Sequence, residues 1–510
     1  MADDKAPTRL IAPLLGPTVE AMEAEARQAR QAGADTVELR LDALRPTPSA
    51  EDIARLIRQV PVETLATCRP KRQGGHFQGS EGERLDVLLA AGAAGADWLD
   101  VEDDAIGARP WPVPVIVSHH DYTGPPADLP ALAEKLAACP QAAAWKIAFA
   151  AEHPADALAA LDPLHRLTRP GICLAMGEAG LASRVLAAAA GAWGTFAAIA
   201  PDRGSAAGQP TLAEMRDLYR FGSIGPATAL LGVVGCPVGH SMSPAIHNAA
   251  LAAAGIDGVY LPLLTPPGYE SFARLIDALA RRPRLNAAGL SVTIPHKEDA
   301  LRYLRGENVE PLAAEIGAVN TLTFHGRGPL SGHNTDYAGA LDALTDAMDI
   351  SRDALAGRTV AVLGAGGAAR ALVAALVHYQ AEVIVANRTY ERAETLAREF
   401  GARPARLAEV ERLGAEILIN CTPLGMHPHT EASPLKAVPP QTRAVFDTIY
   451  NPVQTRLLGQ AAAAGCQAIS GVDMFVNQGA EQFRLWTGQQ PPIQAMREVV
   501  LRHLTGGADR

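Results

Sequence analysis

This sequence lacks three features. It has no cysteine pairs at the spacing of a metal or redox motif, no long apolar run and no excess of positive charge. The six cysteines are scattered, which fits free thiols in a reducing compartment. No apolar stretch approaches the roughly 20 residues of a membrane span, and residues 1–15 lack the pattern of a signal peptide. The net charge is −10, so the electrostatics favour neither nucleic acid nor an anionic membrane as a partner. We therefore expect a cytoplasmic protein that acts on small molecules.

The composition is that of a globular protein with more than one domain. Apolar residues make up 48% and charged residues 20% of the 510 residues. At roughly 100–200 residues per domain, this length predicts two or three domains.

Eight short apolar runs alternate with longer amphipathic stretches between residues 9 and 200. The runs are Arg9–Leu15, Thr36–Asp42, Glu63–Arg69, Trp98–Asp103, Pro114–Asp121, Ala143–Phe149, Gly171–Gly177 and Thr195–Ala200. Strands that alternate with helices are typical of a parallel sheet, and this number of units predicts a (β/α)8 barrel. We place the barrel at residues 1–221 and a linker, marked by Gly222, Gly225 and Pro226, at 222–228.

A second α/β region begins with the apolar strand Ala229–Gly235 and extends to residue 510. Within it, Arg358–Leu363 ends in a glycine turn, which is followed by a helix and a further strand, Glu382–Ala386. This βαβ unit has the size of a nucleotide-binding half. We predict a Rossmann-like subdomain at 336–480 and a substrate subdomain made of 229–335 with the C-terminal helices.

Polar residues recur at the C-terminal ends of the predicted barrel strands, where barrel enzymes place their active sites. The residues at these ends are Glu38, Arg40, Arg69, Glu102, His120, Lys146 and Met176, followed by Ser205 and Gln209 after the last strand. A single polar residue of this kind is more often part of a structural ion pair. Their repetition at one end of the barrel favours a site.

Lys146 lies in an otherwise apolar strand, and burial weakens the preference of a lysine for its charged form. A neutral amine attacks a ketone to form an imine, which acts as an electron sink. His120 ends the neighbouring strand, and an imidazole can remove a proton beside the imine and return it to a leaving hydroxyl. Strand alternation directs His119 the other way. The alternative is that Lys146 only pairs with Glu38 or Glu102.

Several motifs of the N-terminal half occur in the order of a known family: 37–40, 118–121, 145–148 and 205–209. With them, residues 9–220 resemble type I 3-dehydroquinate dehydratase. The resemblance implies that Lys146 forms the imine and that His120 is the general acid and base. It assigns Arg184 to the substrate carboxylate as a bidentate fork, and the hydroxyls and carboxylate also to Glu38, Arg40, Arg69, Ser205 and Gln209. The family usually carries Glu where this chain has Gln73, so we expect an altered loop-closing step.

A glycine-rich turn follows a strand and opens a helix; its residues are Gly364, Ala365, Gly366, Gly367 and Ala368. Such a turn lets backbone N–H groups approach a pyrophosphate at the helix N-terminus. The next strand ends at Asn387, Arg388 and Thr389, with an arginine where NAD-binding proteins place an acid. A guanidinium binds the 2′-phosphate of NADP, which an acid repels, so we predict NADP as the cofactor. The alternative is that Arg388 is a solvated surface residue.

Hydroxyl, amide and charged groups cluster in the turns 239–244, 291–297, 317–321 and 334–336, and Tyr450 and 471–478 complete the set. These motifs resemble shikimate dehydrogenase across about residues 229–505. The resemblance implies that Lys297 and Asp336 are the catalytic pair, Lys297 supplying a proton as hydride reaches the carbonyl carbon. It assigns the substrate to Ser241, Ser243, Thr293, Asn320, Tyr450 and Gln478, and the cofactor also to Thr422 and Gly471. Ser243 together with Thr293 favours shikimate over quinate.

The two resemblances join consecutive reactions, because 3-dehydroshikimate is the product of the first and the substrate of the second. We therefore predict a bifunctional enzyme of the shikimate pathway that uses NADP and no metal. One alternative is a sensor or repressor that binds the same acids without turnover. It should have lost Lys146, His120, Lys297 or Asp336, all of which are present, and we find no DNA-reading motif. The other alternative is an NAD-linked quinate dehydrogenase fused to the dehydratase.

Overall fold

The computed structural model describes residues 7–239, 241–326 and 328–506. The chain packs into two compact units, residues 1–240 with 257–287 and residues 241–256 with 288–510. His240 of the 239–244 motif lies outside the described residues. In the described part of the chain, no helix has both the length and the apolar character that crossing a membrane requires.

An eight-stranded parallel sheet forms the main body of the first unit. Its strands are β1 (Arg9–Leu14), β2 (Thr36–Arg40), β3 (Glu63–Thr67), β4 (Trp98–Glu102), β5 (Val115–Asp121), β6 (Ala144–Ala150), β7 (Gly171–Met176) and β8 (Gly194–Phe196). Their order is β7-β6-β5-β4-β3-β2-β1-β8. Near the start of β7 and β8, the Trp193 N–H donates to the Gly171 carbonyl at 2.8 Å. The sheet is therefore a nearly closed barrel, which confirms the predicted fold class.

Helices of the expected amphipathic type follow most of these strands. They are α1 (Val19–Gln31), α2 (Ala50–Gln59), α3 (Glu81–Ala93), α4 (Leu129–Ala137), α5 (Pro154–Ala159), α6 (Asp162–Arg166) and α7 (Leu181–Val185). Ser49 and Ser80 cap α2 and α3, each in a reciprocal capping box with the acidic residue three positions on. Between β4 and β5 the chain makes only a 3-10 turn, Ile106–Ala108.

Apolar side chains fill part of the barrel interior. Ile11, Leu65, Ile116 and Ile172, from four different strands, have no exposed surface and form one cluster with Trp193 and Phe196. Layers of this kind are the normal filling of a (β/α)8 barrel, and they leave the C-terminal strand ends for polar groups. The packing thus defines where a site can be.

The chain continues through β9 (Ala229–Gly235), α8 (Ser243–Ala253), β10 (Gly258–Leu264) and α9 (Tyr269–Ala280). Of these, α8 belongs to the second unit and the others to the first, in which β9 and β10 pair in parallel. The remaining elements are β11 (Ala287–Val292), α10 (Lys297–Leu304), α11 (Pro311–Ile316), β12 (Thr321–Thr323), β13 (Ser331–His333), α12 (Thr335–Met348), β14 (Thr359–Leu363), α13 (Gly367–His378), β15 (Glu382–Asn387), α14 (Tyr390–Phe400), β16 (Arg403–Arg406), β17 (Ile417–Asn420), β18 (Ala444–Asp447), α15 (Arg456–Ala463), β19 (Gln467–Ser470), α16 (Gly471–Thr487) and α17 (Ile493–Gly506).

A six-stranded parallel sheet in the order β16-β15-β14-β17-β18-β19 dominates the second unit. Counted from β14, this is the 3-2-1-4-5-6 order of a dinucleotide-binding fold, in which ligands bind where the order reverses, here between β14 and β17. The helix α13 packs against the sheet through small side chains, and Ala369, Ala374 and Ala375 have no exposed surface. The Rossmann-like prediction is confirmed. Earlier in the sequence than this sheet, β12 pairs in antiparallel fashion with β11 and with β13.

Candidate active sites

One cavity at the C-terminal ends of the barrel strands collects most of the residues predicted for the first site. Its lining consists of Glu38, Arg40, Arg69, His120, Tyr122, Lys146, Ala148, Leu174, Met176, Arg184, Phe196, Ser205 and Ala206. Among the strand-end residues named from the sequence, Glu102 does not line this cavity. Its carboxylate is fully buried and contacts the guanidinium groups of Arg69 and Arg84 at 2.7 Å each. Glu102 therefore lies outside the cavity lining and holds the Arg69 guanidinium in place through an ion pair.

Lys146 is 4% exposed and its ammonium is held by carboxylates. The Nζ atom donates to Asp100 Oδ2 at 2.8 Å and lies 3.7 Å from Glu38 Oε1. On the other side it lies 4.4 Å from the centre of the Phe196 ring, a cation–π distance. The alternative that Lys146 pairs with Glu38 is thus correct in part, but its principal partner is Asp100, which the sequence analysis did not single out.

Asp100 is the electrostatic centre of this cluster and has no exposed surface. Its Oδ1 accepts from Ser118 Oγ at 2.5 Å and lies 2.8 Å from Arg69 Nη2. Burial alone would raise the pKa of Asp100, but the Arg69 and Lys146 cations bring it well below its ordinary value. Asp100 therefore stays ionised and fixes the position of Lys146.

His120 shares the inner face of the barrel with Lys146. Ser118 is the register partner of Lys146 on the neighbouring strand, and His120 is two residues further along. Its Nδ1 lies 3.1 Å from Gln73 Oε1. Desolvation in the cavity, together with the Arg69 and Lys146 cations, lowers the pKa of His120 well below its ordinary value. The imidazole is consequently neutral at physiological pH and can accept a proton.

His119 points away from the cavity, as strand alternation predicted. Its Nδ1 contacts Asp103 Oδ1 at 3.2 Å, and this hydrogen bond raises the pKa of His119. Gln73, which we expected to act on loop closure, contacts His120 directly, and its backbone carbonyl accepts a bond from the Tyr122 hydroxyl at 3.2 Å. The Gln73 side chain therefore affects the imidazole itself.

Arg184 is a buried cation without a carboxylate partner among the described residues. Its side chain is 2% exposed, and its Nε has no hydrogen-bond partner within the part of the chain that the structure describes. Burial lowers the pKa of Arg184 to about 10. An unpaired guanidinium in a cavity is costly unless a ligand supplies the negative charge, and a carboxylate fits its two-donor fork.

The other residues predicted for this site are held by their neighbours. Arg40 makes a two-point ion pair with Asp42, with distances of 2.9 and 3.0 Å. Asp42 also accepts the backbone N–H of His76 at 3.0 Å, so it links Arg40 to the loop after β3. Gln209 accepts the backbone N–H of Ser205 through Oε1 at 2.9 Å, which fixes the turn carrying Ser205 at the cavity.

In the second unit, Lys297 Nζ donates to Asp336 Oδ2 at 2.5 Å. Lys297 begins α10 and Asp336 lies in the first turn of α12, whose N-terminus is capped by the Asn334 side chain. Both side chains are partly exposed, at 32% and 22%. The pair predicted from the two motifs is therefore formed at a surface that a substrate can reach.

Asn320 supports this pair through the backbone. Its Oδ1 accepts the Thr335 N–H and the Thr321 hydroxyl, each at 2.8 Å, and the side chain is 2% exposed. Ser241 accepts the Ser243 N–H at 3.2 Å at the start of α8, and Thr293 accepts the His296 N–H at 2.9 Å through its carbonyl. These contacts leave the hydroxyls of Ser243 and Thr293 available for a ligand.

A buried network around Gln482 was missed by the sequence analysis. Its side chain accepts from Ser291 Oγ at 2.9 Å, donates to Thr321 Oγ1 at 3.1 Å and contacts His247 Nε2 at 3.2 Å. The same helix, α16, carries Gln478 on a side that packs closely on α12. A side chain at Gly339 would meet the Gln478 backbone at 2.5 Å.

Tyr450 and Gln478 lie near Phe475. The Tyr450 and Phe475 rings are stacked with centres 5.0 Å apart, and the Tyr450 side chain is exposed. Gln478 donates to the Phe475 carbonyl at 3.1 Å. The structure thus brings these two predicted residues close to one another through Phe475.

The glycine-rich turn between β14 and α13 has the properties that a dinucleotide needs. Gly364 has φ +115°, and a side chain there would meet the Cys421 carbonyl at 3.0 Å. Apart from the adjoining backbone, no atom of the described residues lies within 4 Å of the position that a side chain would take at Gly366 or Gly367, so the backbone is open to a ligand. Helix α13 starts at this turn without a side-chain cap. The residues present therefore fit a pyrophosphate.

The remaining cofactor candidates surround this turn. Thr422 follows β17, next to β14, and its hydroxyl donates to Asn420 Oδ1 at 2.7 Å. At the end of β15, Asn387 donates to the Thr389 carbonyl at 2.9 Å, and the Arg388 side chain is exposed. Gly471 is buried, and a side chain there would meet the Thr448 carbonyl at 2.4 Å. Backbone packing therefore explains the glycine at 471.

Comparisons with known proteins agree with both halves. Residues 10–226 match the type I 3-dehydroquinase family, 233–322 the shikimate dehydrogenase substrate binding domain, 347–446 the shikimate/quinate 5-dehydrogenase family and 471–501 the shikimate 5′-dehydrogenase C-terminal domain. Over 98% of its length, the chain is 38% identical to the chloroplastic bifunctional 3-dehydroquinate dehydratase/shikimate dehydrogenase of Arabidopsis thaliana, of which it covers 85%.

Further relatives match one or both halves. The shikimate dehydrogenase (NADP(+)) of Methanosarcina mazei is 44% identical over 54% of the chain and 98% of that protein. The solved structure of dehydroquinate dehydratase and shikimate dehydrogenase from S. pombe AroM is 25% identical, covers 98% of this chain and 99% of its own, and has a TM-score of 0.47. The chain belongs to the family of bifunctional 3-dehydroquinate dehydratase/shikimate dehydrogenase proteins.

Proposed function

We propose that the barrel dehydrates 3-dehydroquinate to 3-dehydroshikimate and that the second half reduces this product to shikimate with NADPH. The observation that carries the proposal is the barrel cavity, which holds a buried lysine, a neutral histidine and an unpaired arginine. An amine, a proton acceptor and a carboxylate site are what an imine-forming dehydratase of a keto acid requires.

In the barrel, Lys146 transfers a proton to the neutral His120, and its freed Nζ attacks the substrate ketone. The carbinolamine hydroxyl then takes this proton from His120 and leaves as water, which gives the protonated imine and restores the neutral imidazole. His120 removes a proton from the carbon beside the imine carbon, so that the electron pair forms an enamine. The enamine expels the β-hydroxyl, to which His120 returns the proton, and this hydroxyl leaves as water. Hydrolysis of the new imine releases the conjugated ketone and restores Lys146.

The remaining barrel residues orient the substrate. Arg184 binds the carboxylate, and Glu38, Arg40, Arg69, Ser205 and Gln209 bind the hydroxyls and assist with the carboxylate. The support for this assignment is that Arg40 and Arg69 are already held by Asp42, Asp100 and Glu102. A guanidinium held by buried carboxylates offers its remaining N–H groups in a fixed direction.

In the second half, NADPH when bound would supply the hydride that reduces the ketone carbon of 3-dehydroshikimate. Lys297 donates the proton that the resulting alkoxide needs, and Asp336 keeps the ammonium in place. Ser241, Ser243, Thr293, Asn320, Tyr450 and Gln478 bind the carboxylate and hydroxyls. Asn320 Oδ1 already accepts two hydrogen bonds, and one amide N–H donates to Thr335 Oγ1 at 3.2 Å, so Asn320 acts on the substrate through its other amide N–H.

The turn Gly364–Ala368 would hold the pyrophosphate of NADP, and Asn387, Arg388, Thr389 and Thr422 would hold other parts of the cofactor. We propose a dehydratase domain at 1–221, a linker at 222–228 and a dehydrogenase domain at 229–510, divided into 229–335 with the C-terminal helices for substrate and 336–480 for NADP. The bounds of the family matches support this division. The free thiols support a reducing compartment such as the cytoplasm.

The test supplies 3-dehydroquinate and NADPH to the full chain and follows the absorbance of NADPH and of the conjugated product. The wild-type chain should consume both 3-dehydroquinate and NADPH. Lys146→Ala should form no conjugated product, and Lys297→Ala should accumulate it without consuming NADPH. The exposed lysines Lys135 and Lys436 provide matched controls, since their alanine variants should behave as wild type.

Borohydride gives an independent readout of the imine. Added with 3-dehydroshikimate, it should reduce the imine to a stable amine and add the mass of the ligand to the peptide that contains Lys146. Labelling of another lysine would contradict the assignment. Binding of the acids without turnover by wild type would support the sensor in place of the enzyme.

A further inference from the structure

The adenosine end of the nucleotide sheet carries a second arginine besides Arg388. Strands β15 and β16 are parallel neighbours, and Asn387 at the end of β15 is the register partner of Arg406 at the end of β16. The C-terminal ends of parallel strands meet at one edge of the sheet. Arg406 therefore lies at the same edge as the turn Asn387–Thr389, although eighteen positions separate Arg406 from Arg388 in the sequence.

The Arg406 guanidinium is directed over that turn. It lies 5.1 Å from the centre of the Tyr390 ring, and Tyr390 is the first residue of α14, two positions after Arg388. A cation over an aromatic face is attracted by the ring electrons, and this holds a long side chain in one region. Tyr390 thus keeps Arg406 beside the turn that carries Arg388.

Neither guanidinium has an ion-pair partner in the described part of the chain, and both side chains are exposed. Glu409 lies nearby, but its carboxylate accepts the backbone N–H of Arg406 at 3.2 Å at the start of a 3-10 helix. By contrast, Arg358, Arg370 and Arg398 of the same unit pair with glutamates. Arg388 and Arg406 are therefore uncompensated cations at this edge, in a chain whose net charge is −10.

We propose that Arg406 binds the 2′-phosphate of NADP together with Arg388, and that Tyr390 holds the Arg406 guanidinium for this contact. A phosphate monoester carries close to two negative charges at neutral pH and three strong acceptor oxygens, so two guanidiniums can bind it at once. NAD has a hydroxyl at this position and gains nothing from the second cation. Arg406 is thus a specificity-determining residue for NADP.

The test measures binding to the full chain by isothermal titration calorimetry, with 2′,5′-ADP and 5′-AMP as probes of the adenosine end. Arg406→Ala should weaken 2′,5′-ADP about tenfold, the typical effect of losing one charge-assisted hydrogen bond, and leave 5′-AMP unchanged. In kinetics, KM for NADPH should rise by a similar factor, whereas kcat and the KM for NADH should not change. Arg406→Lys, which keeps the charge, should recover part of the affinity.

Arg403→Ala is the matched control. Arg403 is an exposed arginine of the same strand, but its register partner is Ile384, at the opposite end of β16. It should leave the affinity for both probes unchanged. Equal loss of 2′,5′-ADP and 5′-AMP in Arg406→Ala, equal effects of Arg403→Ala and Arg406→Ala, or no loss at all would each overturn the proposal.

Discussion

Replacing Arg184 by methionine should stabilise the first unit while it removes dehydratase activity. The guanidinium is 2% exposed and no carboxylate compensates it in the described residues, so folding must bury a bare cation. Burial lowers its pKa to about 10, well below the ordinary value of a guanidinium. Since each pH unit corresponds to about 1.4 kcal/mol, this lowering corresponds to a cost of about 3–4 kcal/mol for the folded state.

The sign follows from proton linkage. The unfolded chain binds the Arg184 proton more tightly than the folded chain, so the penalty is complete below the folded pKa of about 10 and disappears as the pH rises towards the ordinary pKa of a guanidinium. At neutral pH, methionine should therefore raise the free energy of unfolding by about 1–3 kcal/mol, since some relaxation around the cation reduces the full value. The gain should be the same at pH 6 and pH 8.

Activity should change in the opposite direction. Without the guanidinium, kcat/KM of the dehydratase reaction should fall about a hundredfold, the upper range for a hydrogen-bonded charge, and the dehydrogenase reaction should be unaffected. Scanning calorimetry and the absorbance of the conjugated product measure the two effects. Arg58→Met, which changes an exposed arginine of α2, is the matched control and should alter neither.

Arg184→Met also tests whether the Arg184 guanidinium serves to bind a ligand or to stabilise the folded structure. If the variant unfolds more easily than wild type, Arg184 has a structural partner and the reasoning is wrong. If stability rises but kcat/KM is kept, the burial argument holds and the carboxylate assignment fails.

Three further predictions concern single contacts. Gln73→Glu places a carboxylate against His120 Nδ1, so the pKa of the imidazole should rise. The acid limb of the pH profile of dehydratase kcat/KM should then move up by about one pH unit, and an unchanged profile would contradict the direct contact. Asp100→Asn leaves Arg69 and Lys146 without their shared counter-ion, so chemical denaturation should show the free energy of unfolding of the first unit lowered by about 3–5 kcal/mol. A decrease below about 1 kcal/mol would contradict the importance of these buried ion pairs. Gly364→Ala places a residue with a side chain at φ +115°, where its Cβ would meet the Cys421 carbonyl. Calorimetric titration should therefore show weaker NADPH binding, while the dehydratase rate stays unaltered. An unchanged affinity would mean that the turn adapts to the side chain.

The sequence was sufficient for the fold because its signals are local. Eight apolar runs separated by amphipathic helices require only the alternation of strand and helix periods to be recognised. His120 and Lys146 were predicted for the same reason, since each stands at a fixed point of its own strand. The family resemblance extended this to Arg184, which no local pattern would have selected.

The missed residues depend on distant parts of the chain. Asp100 is one of two acids in β4, and only the packing of the barrel strands brings it to Lys146, 46 positions away. Gln482 has the appearance of a polar residue on an amphipathic helix, yet its partners Ser291 and Thr321 are 191 and 161 positions away. Glu102 was assigned to the cavity because sequence spacing does not show that Arg84 lies behind it. Partners of this kind follow from three-dimensional packing alone.

The alanine face of α13 restricts how the nucleotide sheet can change over evolutionary time. Ala369, Ala374 and Ala375 are completely buried in the core that includes the sheet. Each is already among the smallest side chains, so a random substitution there nearly always enlarges it, and an overpacked core typically loses about 1–3 kcal/mol per change. The exposed edge with Arg388 and Arg406 has no such restriction. Variation in this lineage should therefore accumulate at the edge that we propose to select the cofactor, so that coenzyme preference can change while the buried core of the sheet stays the same.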